Sequence, residues 1–402
     1  MRIFAPILIL HPTMTPPRVK KLFINSLLMC FATIAMAQSE GHENTHDEDE
    51  PFVAGEFIIH HIADANEIHF FGDENHPLGN YSIPLPIIIY VEGKGFDVFM
   101  SSSFHAEHDA DGGHGAHAIK KATGPNTKTV YLKDSENGIY SLIDPEKGIV
   151  EIDLENGITS DNKLTLWDIS ITKSVFGMLM VLTIMIFMLW SMAKSYSKRP
   201  GQAPKGLANV LEPLVLFVRD DIANPIIGKE KAGKFMPFLL TAFFFIVACN
   251  LLGLFPFIGG FNITGTIGVT IVLATIVFVI TTINANKHYW GHLVSPPGVP
   301  GFVKLIVVPI EIFGIFLKPT VLMIRLTANI SAGHIIILSF VSLIYIFNET
   351  YGAAGGIGIG IFSTLFMVFM YFLELLVAFL QAYVFTLLAS IYFAEATHEP
   401  HH

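Results

Sequence analysis

Near the C-terminus Glu374 and Gln381 stand seven residues apart in an otherwise apolar stretch, and the apolar stretch before it carries Glu311, Lys318 and Arg325 at the same spacing. Seven residues are two helical turns, so each set lies on nearly one helix face, drifting by about 20° per heptad. Asn329 follows Arg325 by four, which puts its amide beside the guanidinium, and His334 is the further titratable group. Placing arginine at the centre of a membrane-spanning helix costs about 2.5 to 3.5 kcal/mol on insertion scales, so it should face a partner or a water-filled cavity. An imidazole and a carboxyl in such a place can exchange protons, and His334 with Glu374 could relay one. The expected chemistry is ion translocation, with Lys318 as additional polar lining. The structural alternative is an internal Arg325–Glu374 ion pair that only holds helices together. Against it, the cluster supplies more polar groups than one pair requires.

The elements that must position these residues are membrane helices. The chain has 402 residues, 52% hydrophobic and 14% charged, more apolar than a soluble core of this length needs. Charge is divided unevenly: residues 38–170 hold 25 Asp and Glu against seven Lys and Arg, while from 171 onward 13 Lys and Arg face nine Asp and Glu. No basic face is available to neutralise phosphates, which argues against a nucleic-acid partner. Of the two cysteines, Cys30 falls in a signal-like pattern and Cys249 in an apolar run, so no disulfide framework follows.

The fold class expected is an all-α polytopic membrane protein with five crossings, long tilted C-terminal helices and one interfacial helix, preceded by a small β-rich extramembrane region. Residues 1–37 read as a signal peptide: Arg18, Lys20 and Lys21 precede an apolar stretch that ends in Ala35-Met36-Ala37. Met14 is an alternative start. Residues 38–165 form an acidic region with histidine-rich, low-complexity patches at 41–50 and 105–117, expected to be disordered. Runs at 57–62, 87–91, 130–132 and 149–154, separated by turn signals at 134–138, 144–148 and 155–157, predict short strands.

Residues 166–396 form the membrane domain, and 397–402 a tail. The first span, 173–193, is followed by Lys194, Lys198, Arg199 and Lys205, so by the positive-inside rule it runs from outside to cytoplasm. Residues 206–234 suit a helix on the cytoplasmic interface. Spans at 235–258 and 264–283, joined by a short polar turn at 259–262, make a hairpin. A connection over 284–301 and two long stretches, 302–347 and 357–394, complete five crossings with a cytoplasmic C-terminus. As one helix, 302–347 would be about 69 Å long against roughly 30 Å of hydrocarbon, so it must break, tilt steeply or run along the membrane.

The segments Leu322-Met-Ile-Arg325-Leu-Thr-Ala-Asn329-Ile-Ser-Ala-Gly333-His334, Leu380-Gln381-Ala-Tyr-Val-Phe385 and Asn250-Leu-Leu-Gly-Leu-Phe-Pro256 resemble subunit a of the F-type ATP synthase membrane sector. The resemblance covers about residues 165–396. It implies a stator in the cell inner membrane, N-terminal region periplasmic, beside a ring of c subunits. Its further partners would be the b-subunit peripheral stalk, the catalytic head through the complex, and the lipid bilayer. It implies two offset half-channels, an essential arginine at Arg325 that meets the ring carboxylate and blocks proton leak, and neighbours at Asn329 and Gln381. Glu311 matches a carboxylate of the cytoplasmic half-channel. In familiar bacterial members a glutamate occupies the position of His334 and a histidine that of Glu374; here the two are exchanged, as expected if they face each other.

No catalytic centre and no cofactor are expected in the chain itself: the glycines at 352–360 lack the Lys-Ser/Thr of a phosphate-binding loop. Two other readings are an independent secondary transporter using Arg325 for an anionic solute, which would show an internal repeat, and a metal-handling membrane protein. The second would need ligands inside the spans, where only His334 stands, and the histidine spacings in 38–165 match no compact metal site.

Overall fold

The computed structural model describes residues 54–55, 58, 62, 64–71, 81–91, 93–106, 120–134, 138–143, 166–198, 205–254, 260–294 and 300–397. The signal pattern, the patch at 41–50, residues 107–117 of the second patch, the run at 149–154, the turn signals at 144–148 and 155–157 and residues 398–402 lie outside them.

Alternation builds the strand region. β3 (Pro86–Val91) buries Ile87, Ile89 and Val91 and turns the residues between them outward. It is paired antiparallel on one side with β4 (Gly95–Met100), and on the other with β9 (Leu166–Asp168) through Tyr90↔Trp167. A second sheet has the order β5 (His105–Ala106), β6 (Lys120–Thr123), β7 (Val130–Asp134), β8 (Gly138–Ile143), and β1 (Glu67–Phe71) pairs with β2 (Tyr81–Pro84). The expected strands at 87–91 and 130–132 are present, and the 134–138 signal closes the β7–β8 hairpin across Asp134↔Gly138. The run at 57–62 departs from expectation: the residues described there, Ile58 and Ile62, are helical, because a short apolar run does not by itself distinguish strand from helix.

One buried carboxylate pins this region. Asp97, turned inward from β4, accepts hydrogen bonds from the backbone N–H of Asn126 (2.8 Å) and Thr127 (3.0 Å) and from the hydroxyls of Thr127 and Tyr131 (the latter at 2.6 Å). Burial alone would raise its pKa, but these hydrogen bonds outweigh burial and hold it below the ordinary value. Burial and the bond to Asp97 push Tyr131 up to about 12. A carboxyl with a lowered folded pKa contributes stability that is complete above its unfolded value, roughly 3.9, and is lost as pH falls through the lowered value. A raised phenol loses its contribution as pH rises from about 10 toward its folded value. Amide protection factors in β4 and β7 of the intact chain should therefore fall below about pH 4. Asp97→Asn should flatten that acid limb and destabilise the region by about 1–3 kcal/mol; an unchanged acid limb would remove Asp97 as the pin.

Among the described residues five helices are long and apolar enough to cross a membrane: α1 (Lys173–Lys198), α4 (Lys229–Gly253), α5 (Ile267–Asn284), α7 (Phe302–Gly352) and α8 (Ala354–Thr397). Between α1 and α4 the chain forms α2 (Leu207–Leu216), a π-helical stretch at Phe217–Ala223 and α3 (Asn224–Ile227), burying Ala208, Leu211, Val218, Ile222 and Ile227 while Arg219, Asp220 and Asp221 stay exposed. That is the amphipathic pattern of an interfacial helix. It ends earlier than expected, at Gly228, whose φ of 91° breaks the helix. Lys229–Lys234 then form the first turns of α4, so their charges extend that span rather than precede it.

α4 is the hub. Beyond Lys234 it is apolar all round, and it buries Phe235, Leu239, Phe243 and Ile246 among α1, the Phe217–Ala223 stretch and the α7–α8 pair. α8 meets it through small residues, Ala378, Ala382, Ala389 and Ala396, which allow close approach, and through Phe393 stacked on Phe235 with ring centres 4.7 Å apart. The turn before α5 is less exposed than its polarity suggests: Phe261, Asn262, Ile263 and Thr264 are buried. Residues 284–301, expected as a plain connection, contain α6 (Lys287–Val294), tethered to the end of α8 by Asn286 N–H donating to Ala396 O at 2.9 Å. α7 and α8 are helical throughout and part only at Gly352, with φ 69°. A break is thus not how α7 fits the bilayer; at 51 residues it must lie tilted.

Candidate functional site

α7 and α8 run antiparallel, and two contacts fix their register. Near the Gly352 tip His334 Nδ1 lies 3.3 Å from Glu374 Oε1; at the other end Lys318 pairs with Glu395. Arg325 lies between them.

The first cluster is buried. Glu374 is 6% exposed, and His334 Nδ1 also hydrogen-bonds the Ile330 carbonyl at 3.1 Å. Gly333 makes room for the pair: a side-chain carbon there would come within 3.0 Å of the Glu374 carboxyl carbon. On α4, Gly253 leaves room for the Phe261 carbonyl beside the His334 ring, and one turn earlier Asn250 donates to Ala378 O at 3.2 Å and accepts from Thr264 Oγ1 at 2.6 Å. Spacing does not single out Asn250 and Thr264 as site residues. An asparagine in an apolar span is the available signal, since such a group must find partners inside the bundle. Gln381 lies two turns along α8 from Glu374, on the same buried face.

Arg325 and Asn329 point elsewhere. Both are exposed, on one face of α7 with Ile324 and Ala328, and among the described residues Arg325 has neither an ion pair nor a hydrogen bond. The internal Arg325–Glu374 pair is therefore not formed, because Glu374 faces His334 instead. The guanidinium lies on the exposed side of α7, with Val321 and Ile324 before it and Ala328 and Asn329 after it.

The second cluster lines a cleft of about 630 Å³ between α6, α7 and α8, with His288, His292, Glu311, Lys318 and Glu395 on its walls. Glu311 Oε1 is 3.9 Å from His292 Nδ1, while its Oε2 is buried without a hydrogen-bond partner. Glu311 and Lys318 thus share a cleft, as their spacing implies, while Arg325 two turns on does not join it. Glu395 and His292 are additions that sequence reasoning missed. Glu395 continues the α8 heptad stripe, 14 residues beyond Gln381, and His292 requires α6, whose eight residues give little periodic signal.

A sequence profile described as ATP synthase A chain matches residues 175–394, and another, described as a domain of unknown function, matches 57–162. Over 242 residues the chain is 42% identical to ATP synthase subunit a of Chloroherpeton thalassium, covering 58% of this chain and 69% of that one. It is 46% identical over 238 residues to ATP synthase subunit a 2 of Chlorobaculum tepidum, covering 58% and 64%. With ATP synthase subunit a of Myxococcus xanthus the identity is 38% over 241 residues, 58% and 75% of the two chains. The profile covers more than half of this sequence, runs through the five apolar helices found among the described residues and contains the residues of both polar clusters except Glu395, and the chain accordingly belongs to the ATP synthase A chain family, subunit a of the F-type membrane sector.

Proposed function

We propose that this chain is the stator of a proton-driven ATP synthase in the cell inner membrane, forming two half-channels beside a c-subunit ring. One half-channel leads through the His334–Glu374 cluster, with Asn250 and Gln381 beside it. The other is the cleft lined by Glu311, His292, Lys318 and Glu395. Arg325 stands between them on the face offered to the ring, where its permanent charge attracts a deprotonated ring carboxylate and repels a passing proton. Residues 1–37 are removed as a signal, 38–165 lie outside, and the peripheral stalk and catalytic head complete the complex.

One observation carries this reading. The guanidinium is exposed and unpartnered by the described residues at membrane depth, while every carboxyl near it within the bundle is engaged elsewhere. Such a charge costs energy in lipid unless something outside the chain meets it. A carboxylate on a second helix bundle does so without a direct path between the clusters: along α7, Glu311 lies about 21 Å and His334 about 13 Å from Arg325, at 1.5 Å per residue.

The test is proximity. Ala328→Cys places a thiol on the exposed face one turn from Arg325, and in assembled complex it should cross-link to a cysteine placed beside the ring carboxylate. Thr386→Cys, on a buried face of α8, should not. Equal yields, or none from Ala328→Cys in complexes that retain the ring, would sink the assignment of that face.

A further inference from the structure

The outward face of the sheet formed by β4, β3 and β9 is apolar and uncovered by described residues. Phe96, Val98 and Met100 on β4 are 54%, 54% and 43% exposed, and Trp167 and Ile169 on β9 are 65% and 58% exposed. Tyr90 lies between them in register, opposite Phe96 on one side and Trp167 on the other, its ring 4.8 Å from that of Phe96. The alternating positions that carry this face hold no charged residue, although residues 38–170 as a whole are strongly acidic. Large aromatic and aliphatic side chains grouped this way on a sheet mark a contact surface.

The connection to α1 says what is contacted. From β9 the backbone continues through Ile169 N–H to Ile88 O (2.9 Å) and Ile171 N–H to Pro86 O (3.1 Å), and Lys173 N–H, the first of α1, donates to Ala65 O (2.7 Å). The next amide, Ser174 N–H, donates to Asp64 Oδ1 at 2.9 Å. The sheet is thus bonded without a free linker to the end of an apolar helix whose residues Phe176 and Leu179 are exposed. Ile68 and Leu85 of the strand region also belong to the same buried core as α1 and α4. From Trp167 to Lys173 is six residues, at most about 20 Å of extended chain. The apolar face is therefore held within about 20 Å of chain from the start of a membrane-crossing helix, the depth at which tryptophan and tyrosine rings are favoured.

We propose that this sheet face lies on the bilayer, with Trp167, Tyr90 and Phe96 inserted at the headgroup–acyl boundary on the side where α1 begins. The contact holds the strand region flat against the membrane and does not depend on the ion path.

Tryptophan quenching tests it. The full chain has three tryptophans, and Trp190→Phe with Trp290→Phe leaves Trp167 alone. In phosphatidylcholine vesicles, lipids brominated near the top of the acyl chain should quench at least half of its emission, deep bromines less, and aqueous iodide little. In a Trp167→Phe background, Phe96→Trp should report the same depth from the other edge. Strong iodide quenching at either position would overturn the proposal, since the face would then be in water. Protection from both iodide and brominated lipid would overturn it too, because protein would then be the cover.

Discussion

Vesicles carrying Arg325→Ala are expected to make no ATP from a proton gradient while retaining an assembled complex. The side chain has no partner in its own bundle that its loss would orphan, so the fold should survive the change. On the proposed function, what is lost is the counter-charge for a ring carboxylate passing through an apolar layer. Removing one member of a desolvated ion pair costs about 3–5 kcal/mol, which is roughly two to three and a half orders of magnitude in rate at about 1.4 kcal/mol per decade. Passive proton leak after the catalytic head is stripped should rise, since a fixed cation no longer separates the half-channels. Arg325→Lys keeps a charge but loses the planar fork and can give up its proton when desolvated, so intermediate synthesis with some leak is expected. Normal synthesis in Arg325→Ala vesicles would remove the residue from the mechanism.

The second large effect concerns the His334–Glu374 pair. His334→Glu alone sets two carboxyls where the structure has a 3.3 Å contact, so one must stay protonated; Glu374→His alone sets two imidazoles there. Each should slow ATP-driven proton pumping at least tenfold. Making both changes restores one acid and one imidazole facing each other, and pumping should return to within about threefold of the parent, a coupling of 1–3 kcal/mol of the kind seen for contacting residues. Gly333 must be kept, because it leaves the space that Glu374 fills. A double variant as poor as the product of the single losses would mean that the two residues act separately.

Much of this site is legible in the sequence. Charges are so costly in lipid that Arg325, Glu311, Lys318, His334 and Glu374 stand out against apolar surroundings, and heptad spacing gives the shared face of Glu311 and Lys318, though not that of Arg325. What spacing cannot give is the partner across helices. Arg325 and Glu374 are near enough in type to suggest a pair, and only the register of α7 against α8 assigns Glu374 to His334 and Lys318 to Glu395. The five spans follow from hydropathy, whereas α6 and the buried turn at 261–264 do not, because short polar segments are ordered by what they pack on rather than by their own pattern. The strand region is legible where alternation is clean, as in Ile87, Ile89 and Val91, and misleading at 57–62, where it is not.

The unbroken length of α7 has an electrical consequence. Its 51 residues extend about 76 Å, and a helix of that length held in a 30 Å layer leans roughly 67° from the normal. The 23-residue separation of Glu311 and His334, about 35 Å along the axis, then resolves into roughly 32 Å sideways and only 14 Å of depth. On the proposed reading, with approaches that conduct protons alone, roughly half of a voltage across the bilayer falls over the two approaches and the rest over the depth between them. Each approach would act as a well in which potential is converted into local proton activity. An applied voltage and a chemical gradient of equal energy should then fill the ring sites alike.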